Sequence, residues 1–336
     1  MNKKINIALI GASGIVGNKI IKLLEARSFP INNFIPIGHS TVGEKLLFNN
    51  IEYSISSIDS FDPKNAQLII LSAGSNVANQ YARDFVESGS YVIDLSSHFR
   101  YEDDVPLIIP EINGHIAREL NSPSLIANPN CTATQLLIAL KSIHDVASIE
   151  IINIASYQAV SGTGKLAMEE LHNQTYFKDS GEKLSVYPKQ IAFNVIPQCD
   201  EFLDNNFTKE EMKVVWETHK ILDPNIFVQA TCVRVPVFNG HSEAVFFKVS
   251  KSISREMIMN ILQNVEGLKV FDDPEYPTPL EHANDTEEVF VGRVRVQELA
   301  DETWISMWIV ADNVYGKGAA LNAVQIAETL LNSEKF

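Results

Sequence analysis

Ile5-Asn6-Ile7-Ala8-Leu9-Ile10-Gly11-Ala12-Ser13-Gly14-Ile15-Val16-Gly17 is the stretch that decides the fold of the N-terminal part. Its first six residues form an apolar run stopped by glycine, the pattern of a strand buried on both faces. From Gly14 to Ala26, Val16, Ile20, Leu23 and Leu24 fall on one helical face. A strand that turns through glycines into a helix offers unpaired N–H groups and the positive helix end to an anion. The spacing is GxxGxxG, where the usual dinucleotide fingerprint is GxGxxG. The turn therefore reads as a phosphate cradle or as an ordinary tight turn.

Outward from this turn the pattern repeats. Residues 34–37, 67–72 (QLIILS) and 91–95 (YVIDL) read as further strands, and 75–88 as a helix. Strands alternating with helices predict a Rossmann-type parallel sheet with right-handed crossovers. After Cys131 the character changes. A helix is expected over 132–143, then long alternating strands over 149–157, 227–236, 242–249 and 303–311. These predict an α+β domain with a mostly antiparallel sheet, one face covered. Helices are expected over 165–177 and 209–222, and a loop over 270–288. The expected division is a nucleotide-binding domain, 1–130, to which the C-terminal segment 313–336 returns, and a catalytic domain, 131–312.

Composition narrows the function classes. Hydrophobic residues make up 45% and charged residues 21%, the profile of a soluble globular protein. The net charge is −15, which argues against nucleic acid or an anionic membrane as a partner. An anionic substrate then needs a local cationic pocket. The apolar run at the N-terminus is too short for a signal segment or a membrane span, and a cytoplasmic protein is expected. The three cysteines lack CxxC spacing and the eight histidines show no HxH or HxxxH pattern, so neither a disulfide framework nor a metal site is expected.

Asn128-Pro129-Asn130-Cys131-Thr132-Ala133-Thr134-Gln135 places Cys131 at a helix start. The dipole and open N–H groups there favour a thiolate, and the same N–H groups are positioned to hold an oxyanion. The other reading is a small buried hydrophobe. His241, in a turn between two strong strands, is the candidate partner, or else a solvated turn residue. Arg100 ends the fourth strand of the first domain, where parallel sheets bind ligands, and suits a phosphate or carboxylate. Arg234 lies inside an apolar strand, so it must be paired or face a pocket. Glu210 and Lys213 stand three apart on a helix, the spacing of a surface ion pair. The small-residue turn Tyr157-Gln158-Ala159-Val160-Ser161-Gly162-Thr163-Gly164 allows close approach of a ligand, or close packing.

Taken together, GASGIVG, SSHFR with DVPLIIPEIN, NPNCTATQ, YQAVSGTG, IAFNVIP, EEMK, TCVRVPVFNGHSEAV and DN with KGAALNAVQIAE resemble, in order, the motifs of the aspartate-semialdehyde dehydrogenase family. The resemblance spans residues 5–330. It implies reduction of β-aspartyl phosphate with NADPH to aspartate semialdehyde and phosphate, in lysine, threonine, methionine and diaminopimelate biosynthesis. By resemblance, Cys131 is the nucleophile that forms an acyl-thioester and His241 the acid/base. Gln158, Arg234 and Glu210 are substrate contacts, and Arg100 and Lys213 bind the phosphate. Ser13, Gly14, Ile15, Val16, Ser40, Thr41, Ser161, Gly162 and Asn313 match cofactor positions. A homodimer or homotetramer is implied.

One departure concerns the cofactor. Many relatives carry an arginine in an SxRSAG loop where this chain has Gly38-His39-Ser40-Thr41-Val42-Gly43. No acid stands there before Glu44 to take the ribose hydroxyls, which leans towards NADP. Three alternatives compete with this reading. N-acetyl-γ-glutamyl-phosphate reductases carry an HPGC-type turn in place of NPNC, whereas malonyl-CoA reductase lies closer by motif. A catalytically dead paralogue would have lost Cys131, His241 or Arg234. A metal-dependent enzyme would need a ligand pattern the histidines lack.

Overall fold

The computed structural model describes residues 3–177 and 185–336. Contacts divide the chain into two compact units, Met1–Pro129 with Ala319–Phe336, and Asn130–Gly318.

In the first unit the order is β1 (Ile5–Ile10), α1 (Ile15–Ala26), β2 (Ile31–Gly38), β3 (Lys45–Phe48), β4 (Ile51–Ser54), β5 (Ser56–Ser57), β6 (Leu68–Leu71), α2 (Ser75–Glu87), β7 (Tyr91–Asp94), α3 (Pro110–Asn113), α4 (His115–Glu119) and β8 (Leu125–Ala127). Six strands pair in the order β5-β2-β1-β6-β7-β8, all parallel, as the sequence predicts. Strands β1, β6, β7 and β8 are apolar and buried because helices cover the sheet. The hairpin β3–β4 stands apart as a separate two-stranded sheet.

The second unit contains α5 (Cys131–Ala147), β9 (Ile149–Gln158), α6 (Lys165–Tyr176), α7 (Lys209–Ile221), β10 (Phe227–Arg234), β11 (His241–Val249), α8 (Arg255–Gln263), β12 (Leu268–Val270), α9 (Pro279–His282), β13 (Val289–Leu299) and β14 (Glu302–Ala311). Its sheet runs β10-β9-β11-β14-β13-β12. The three central pairings are antiparallel, and the two outermost, β10–β9 and β13–β12, are parallel. Residues alternate across the pleat. His241, Glu243, Val245, Phe247 and Val249 are all buried, while Ala244, Phe246 and Lys248 between them are half-buried. Helix α5 packs on β9, β11 and β14. The expected loop 270–288 contains the short helix α9.

The last helix, α10 (Ala320–Asn332), belongs to the first unit and packs on α1, where Arg27 and Glu328 form a bidentate ion pair. Residues 313–318, expected to travel with it, fall in the second unit.

Candidate active site

In the first unit the glycine-rich turn is shaped by contacts that only glycine permits. Gly11 has φ +83°, and a Cβ there would lie 2.4 Å from the Ser72 carbonyl oxygen. A Cβ on Gly17 would lie 2.2 Å from the Gly11 carbonyl oxygen. Gly14 is the N-cap of α1 and supplies no side-chain cap to the first-turn N–H groups. The turn borders a cavity of about 680 Å³ lined by Gly11, Ser13, Gly14, Ser40, Thr41 and Asp59, among others. Ser13 and Thr41 hydroxyls lie 2.9 Å apart and fix the two loops to each other. An uncapped helix end facing a cavity of this size fits the phosphates and part of a dinucleotide. Ile15 and Val16 begin α1 beside the turn and do not line the cavity. Arg100 is also in this unit. It is buried, and its Nη2 donates to the Leu95 carbonyl at 3.1 Å.

In the second unit Cys131 is the first residue of α5 and half-buried. Asn130 caps the helix: its Oδ1 accepts from the N–H groups of Thr132 (2.9 Å) and Ala133 (3.3 Å). Those two donors, which the sequence had left open for an oxyanion, are thus already used. Asn130 is itself fixed, because its backbone N–H donates to Glu217 at 2.6 Å and its Nδ2 to Glu210 at 2.9 Å.

The other residues meet at the end of β9. Gln158 Nε2 donates to Thr132 Oγ1 at 2.9 Å and to Glu210 Oε1 at 3.2 Å, tying β9 to α5 and α7. The next residue, Ala159, is a backbone hub. Its N–H donates to His241 Nδ1 at 3.0 Å, and its carbonyl accepts from Arg234 Nη1 at 2.7 Å. Gly162 faces both side chains: a Cβ there would come within 3.2 Å of Arg234 Nη1 and of His241 Nε2. Ser161 is held by Asn313, whose Oδ1 also accepts from the Gly240 N–H at 2.9 Å beside His241.

The electrostatics follow from burial. His241 is wholly buried, and burial with the Arg234 guanidinium beside it lowers its pKa to about 3. It is therefore neutral at physiological pH. Because Nδ1 accepts a backbone hydrogen bond, the neutral ring carries its proton on Nε2. Nε2 has no hydrogen-bond partner among the described residues. Burial alone would raise the Glu210 carboxyl. Lys213, Asn130 and Arg234 outweigh that and hold it at about 2. Lys213 donates to Glu210 at 3.0 Å and to Asp200 at 2.8 Å, so it stays charged despite burial. The Glu210–Lys213 pair is thus no surface pair, since both residues are buried. The other two cysteines differ from Cys131. Burial pushes Cys199 up to about 12 and raises Cys232 well above the usual thiol range, so both stay protonated.

The structure gathers Cys131, Gln158, Glu210, Lys213, Arg234, His241, Ser161, Gly162 and Asn313 in the second unit. Ser13, Gly14, Ile15, Val16, Ser40, Thr41 and Arg100 lie in the first. Sequence reading missed Glu217 and Ala159. Glu217 looks like a surface residue of an amphipathic helix, and Ala159 acts through its backbone alone.

The chain matches the family model "Semialdehyde dehydrogenase, NAD binding domain" over residues 6–119 and "Semialdehyde dehydrogenase, dimerisation domain" over residues 140–315. It is 46% identical over 98% of its length to a Shewanella protein named aspartate-semialdehyde dehydrogenase, 99% of which is covered. The chain belongs to the aspartate-semialdehyde dehydrogenase family. A relative from Vibrio cholerae named aspartate-semialdehyde dehydrogenase 2 is 43% identical, with 98% of this chain and 99% of the relative covered. The crystal structure of aspartate semialdehyde dehydrogenase II from the same organism, complexed with ASA, superposes with a TM-score of 0.95 at 42% identity, covering 98% of this chain and 99% of that one. A probable aspartate-semialdehyde dehydrogenase from Pseudomonas aeruginosa has a TM-score of 0.92 at 27% identity over 98% of this chain and 99% of its own.

Proposed function

We propose that this chain is an NADP-dependent, phosphorylating aldehyde dehydrogenase. It reduces β-aspartyl phosphate to aspartate semialdehyde and phosphate through an acyl-thioester on Cys131, and so serves lysine, threonine, methionine and diaminopimelate biosynthesis. The observation that carries the reading is the Ala159 hub. It holds an imidazole N–H donor and a guanidinium beside the Gln158 amide, which reaches the residue next to Cys131.

The residues divide the work by their chemistry. The Cys131 sulfur attacks the acyl carbon, a C–S bond forms, and the C–O bond to phosphate breaks with its electron pair leaving on phosphate. Arg234 suits the substrate carboxylate through its fork, and Glu210, ionised at all physiological pH, suits the amino group. Lys213 keeps a positive charge for the phosphate. Arg100 is assigned to phosphate by its family match. NADPH, when bound, supplies the hydride. His241 Nε2–H donates to the oxygen that gains charge as the carbonyl carbon is attacked. Its low pKa fits hydrogen-bond donation by a neutral ring rather than proton transfer, which narrows the acid/base role implied by resemblance. In the first unit, the Gly11–Gly17 turn with Ser13, Ser40 and Thr41 holds the cofactor phosphates. Ser161, Gly162 and Asn313 are assigned to the cofactor by their family match.

The reading includes a cytoplasmic homodimer or homotetramer paired through the second unit, for which the matched dimerisation model is the support. No helix among the described residues is long and apolar enough to cross a membrane.

The test is phosphate-dependent reduction of NADP by aspartate semialdehyde, with NAD and malonyl-CoA assayed alongside. Turnover that requires both phosphate and Cys131 is expected. Activity with malonyl-CoA alone, or wild-type rates in Cys131→Ala, would reject the reading.

A further inference from the structure

Four side chains of the site, Cys131, Gln158, Arg234 and His241, have a buried residue with a polar or sulfur atom one layer beneath them on the same element. Two positions back along β10 from Arg234 stands Cys232. Ser156 stands two back from Gln158 on β9, and Glu243 two on from His241 on β11. On α5, Gln135 lies one turn after Cys131 on the same face. Register makes this a true layer: Cys232 pairs with Ser156, and Ser156 pairs with Glu243. One step deeper the same elements carry Ala230, Ile154, Val245 and Ala139, all apolar and buried.

Two members of this layer face from opposite elements. Glu243 and Gln135 are both fully buried. Neither the Glu243 carboxyl oxygens nor the Gln135 amide atoms have a formed hydrogen bond among the described residues. The Gln135 side chain is nonetheless the polar group that acts on the Glu243 carboxyl. On its strand neighbours, Glu243 meets Ser156 on one side and Ile309 on the other. A buried carboxyl and amide without hydrogen bonds are costly in an apolar core. Apolar residues of the same size would pack there at less cost. Stability does not account for the pair, but its place does. It lies between the helix that begins at Cys131 and the strand that begins at His241.

We infer that Glu243, together with Gln135, is a positioning residue that holds the His241 end of β11 against the Cys131 end of α5 in the geometry of the reaction. The inference rests on the function proposed above. Burial drives the Glu243 carboxyl well above the usual carboxylate range, so it keeps its proton, and the Gln135 amide facing it offsets only part of that rise.

The test uses near-isosteric variants of the full chain. Glu243→Gln keeps a neutral donor and acceptor. The double variant Glu243→Met with Gln135→Met replaces the pair by apolar groups of similar shape, which leaves folding intact. Expected results are a Tm for the double variant equal to or above wild type, a kcat reduced by at least about tenfold, and a KM for aspartate semialdehyde within about threefold. Glu243→Gln retains kcat within about threefold. A double variant with wild-type kcat would overturn the inference, and so would a Glu243→Gln variant as impaired as the double variant. Failure of the wild type to reduce NADP with aspartate semialdehyde sinks the assigned reaction instead. The layer is then read from the rate of Cys131 alkylation by iodoacetamide. That rate should be changed in the double variant and unchanged in Glu243→Gln, and equal rates in all three proteins would overturn the positioning role.

Discussion

Two helix starts in this molecule are used in opposite ways. Helix α1 begins at Gly14, which gives its first turn no side-chain cap, and a cavity opens beside it. Helix α5 begins at Cys131 and is capped by Asn130, whose side-chain Oδ1 takes the N–H groups of Thr132 and Ala133. The first end is open, and the proposed function gives it the cofactor phosphates. The second is closed by the protein's own side chain, with the Cys131 sulfur beside the cap. In the proposed reaction the charge stabilisation that open N–H groups would supply is assigned to His241, whose Nδ1 accepts from the Ala159 N–H and leaves the ring proton on Nε2. One end is made by omission of side chains and the other by addition of them.

This contrast can be broken in several places. The largest effect is expected at the closed end. Cys131→Ser should reduce phosphate-dependent turnover by a factor of about 10³ or more, while cofactor binding followed by fluorescence stays at the wild-type Kd. Next comes His241→Phe, which removes the Nε2 donor. A loss of about 10²–10³ in kcat is expected with cofactor binding unchanged, and a loss confined to KM would show that His241 only binds.

At the open end, Gly17→Ala puts a Cβ into the Gly11 carbonyl. It should weaken cofactor binding by at least about tenfold and leave Cys131 alkylation untouched. If alkylation slows equally, the two ends are not separate devices. Asn130→Ala should cost about 1 kcal/mol of stability for the lost cap, read by chemical denaturation.

The pH dependence carries a sign that can be worked out. His241 binds its proton at about 3 in the folded chain and at about 6.5 when unfolded. Between those values the unfolded state holds more protons, so stability is fully present above pH 6.5 and falls as pH falls. Between pH 6.5 and pH 4 the wild type should lose about 3 kcal/mol more than His241→Asn. Parallel curves for the two proteins would show that the ring is protonated in the fold. Glu210 acts lower. Its carboxyl is held at about 2 against an ordinary value of 4.5, so its contribution is present above pH 4.5 and is lost as pH falls from 4.5 through 2.

Much of this was legible in the sequence, for reasons that differ by region. The apolar run into Gly11 announced the parallel sheet because burial on both faces leaves no choice of residue type. The turn before Cys131 was legible because Asn130 and Pro129 have few other uses there. Strand β13 was not read. Its alternation is interrupted by a bulge between Gly292 and Arg295, with Arg293 at φ +55°, so the apolar residues change faces midway. Glu217, Gln135 and Glu243 were equally hidden. A glutamate or glutamine on a helix or strand reads as solvated, and only the fold shows that these are buried. The Ala159 hub leaves no trace in side-chain identity, because both of its contacts are made by the backbone.

The central claim is that Cys131 carries the acyl group. Wild-type protein mixed with aspartate semialdehyde and NADP in the absence of phosphate should form NADPH once per site and gain the mass of one aspartyl group, mapped to the Cys131 peptide by mass spectrometry. A full burst of NADPH with no added mass, or with the mass on Cys199 or Cys232, would contradict the account.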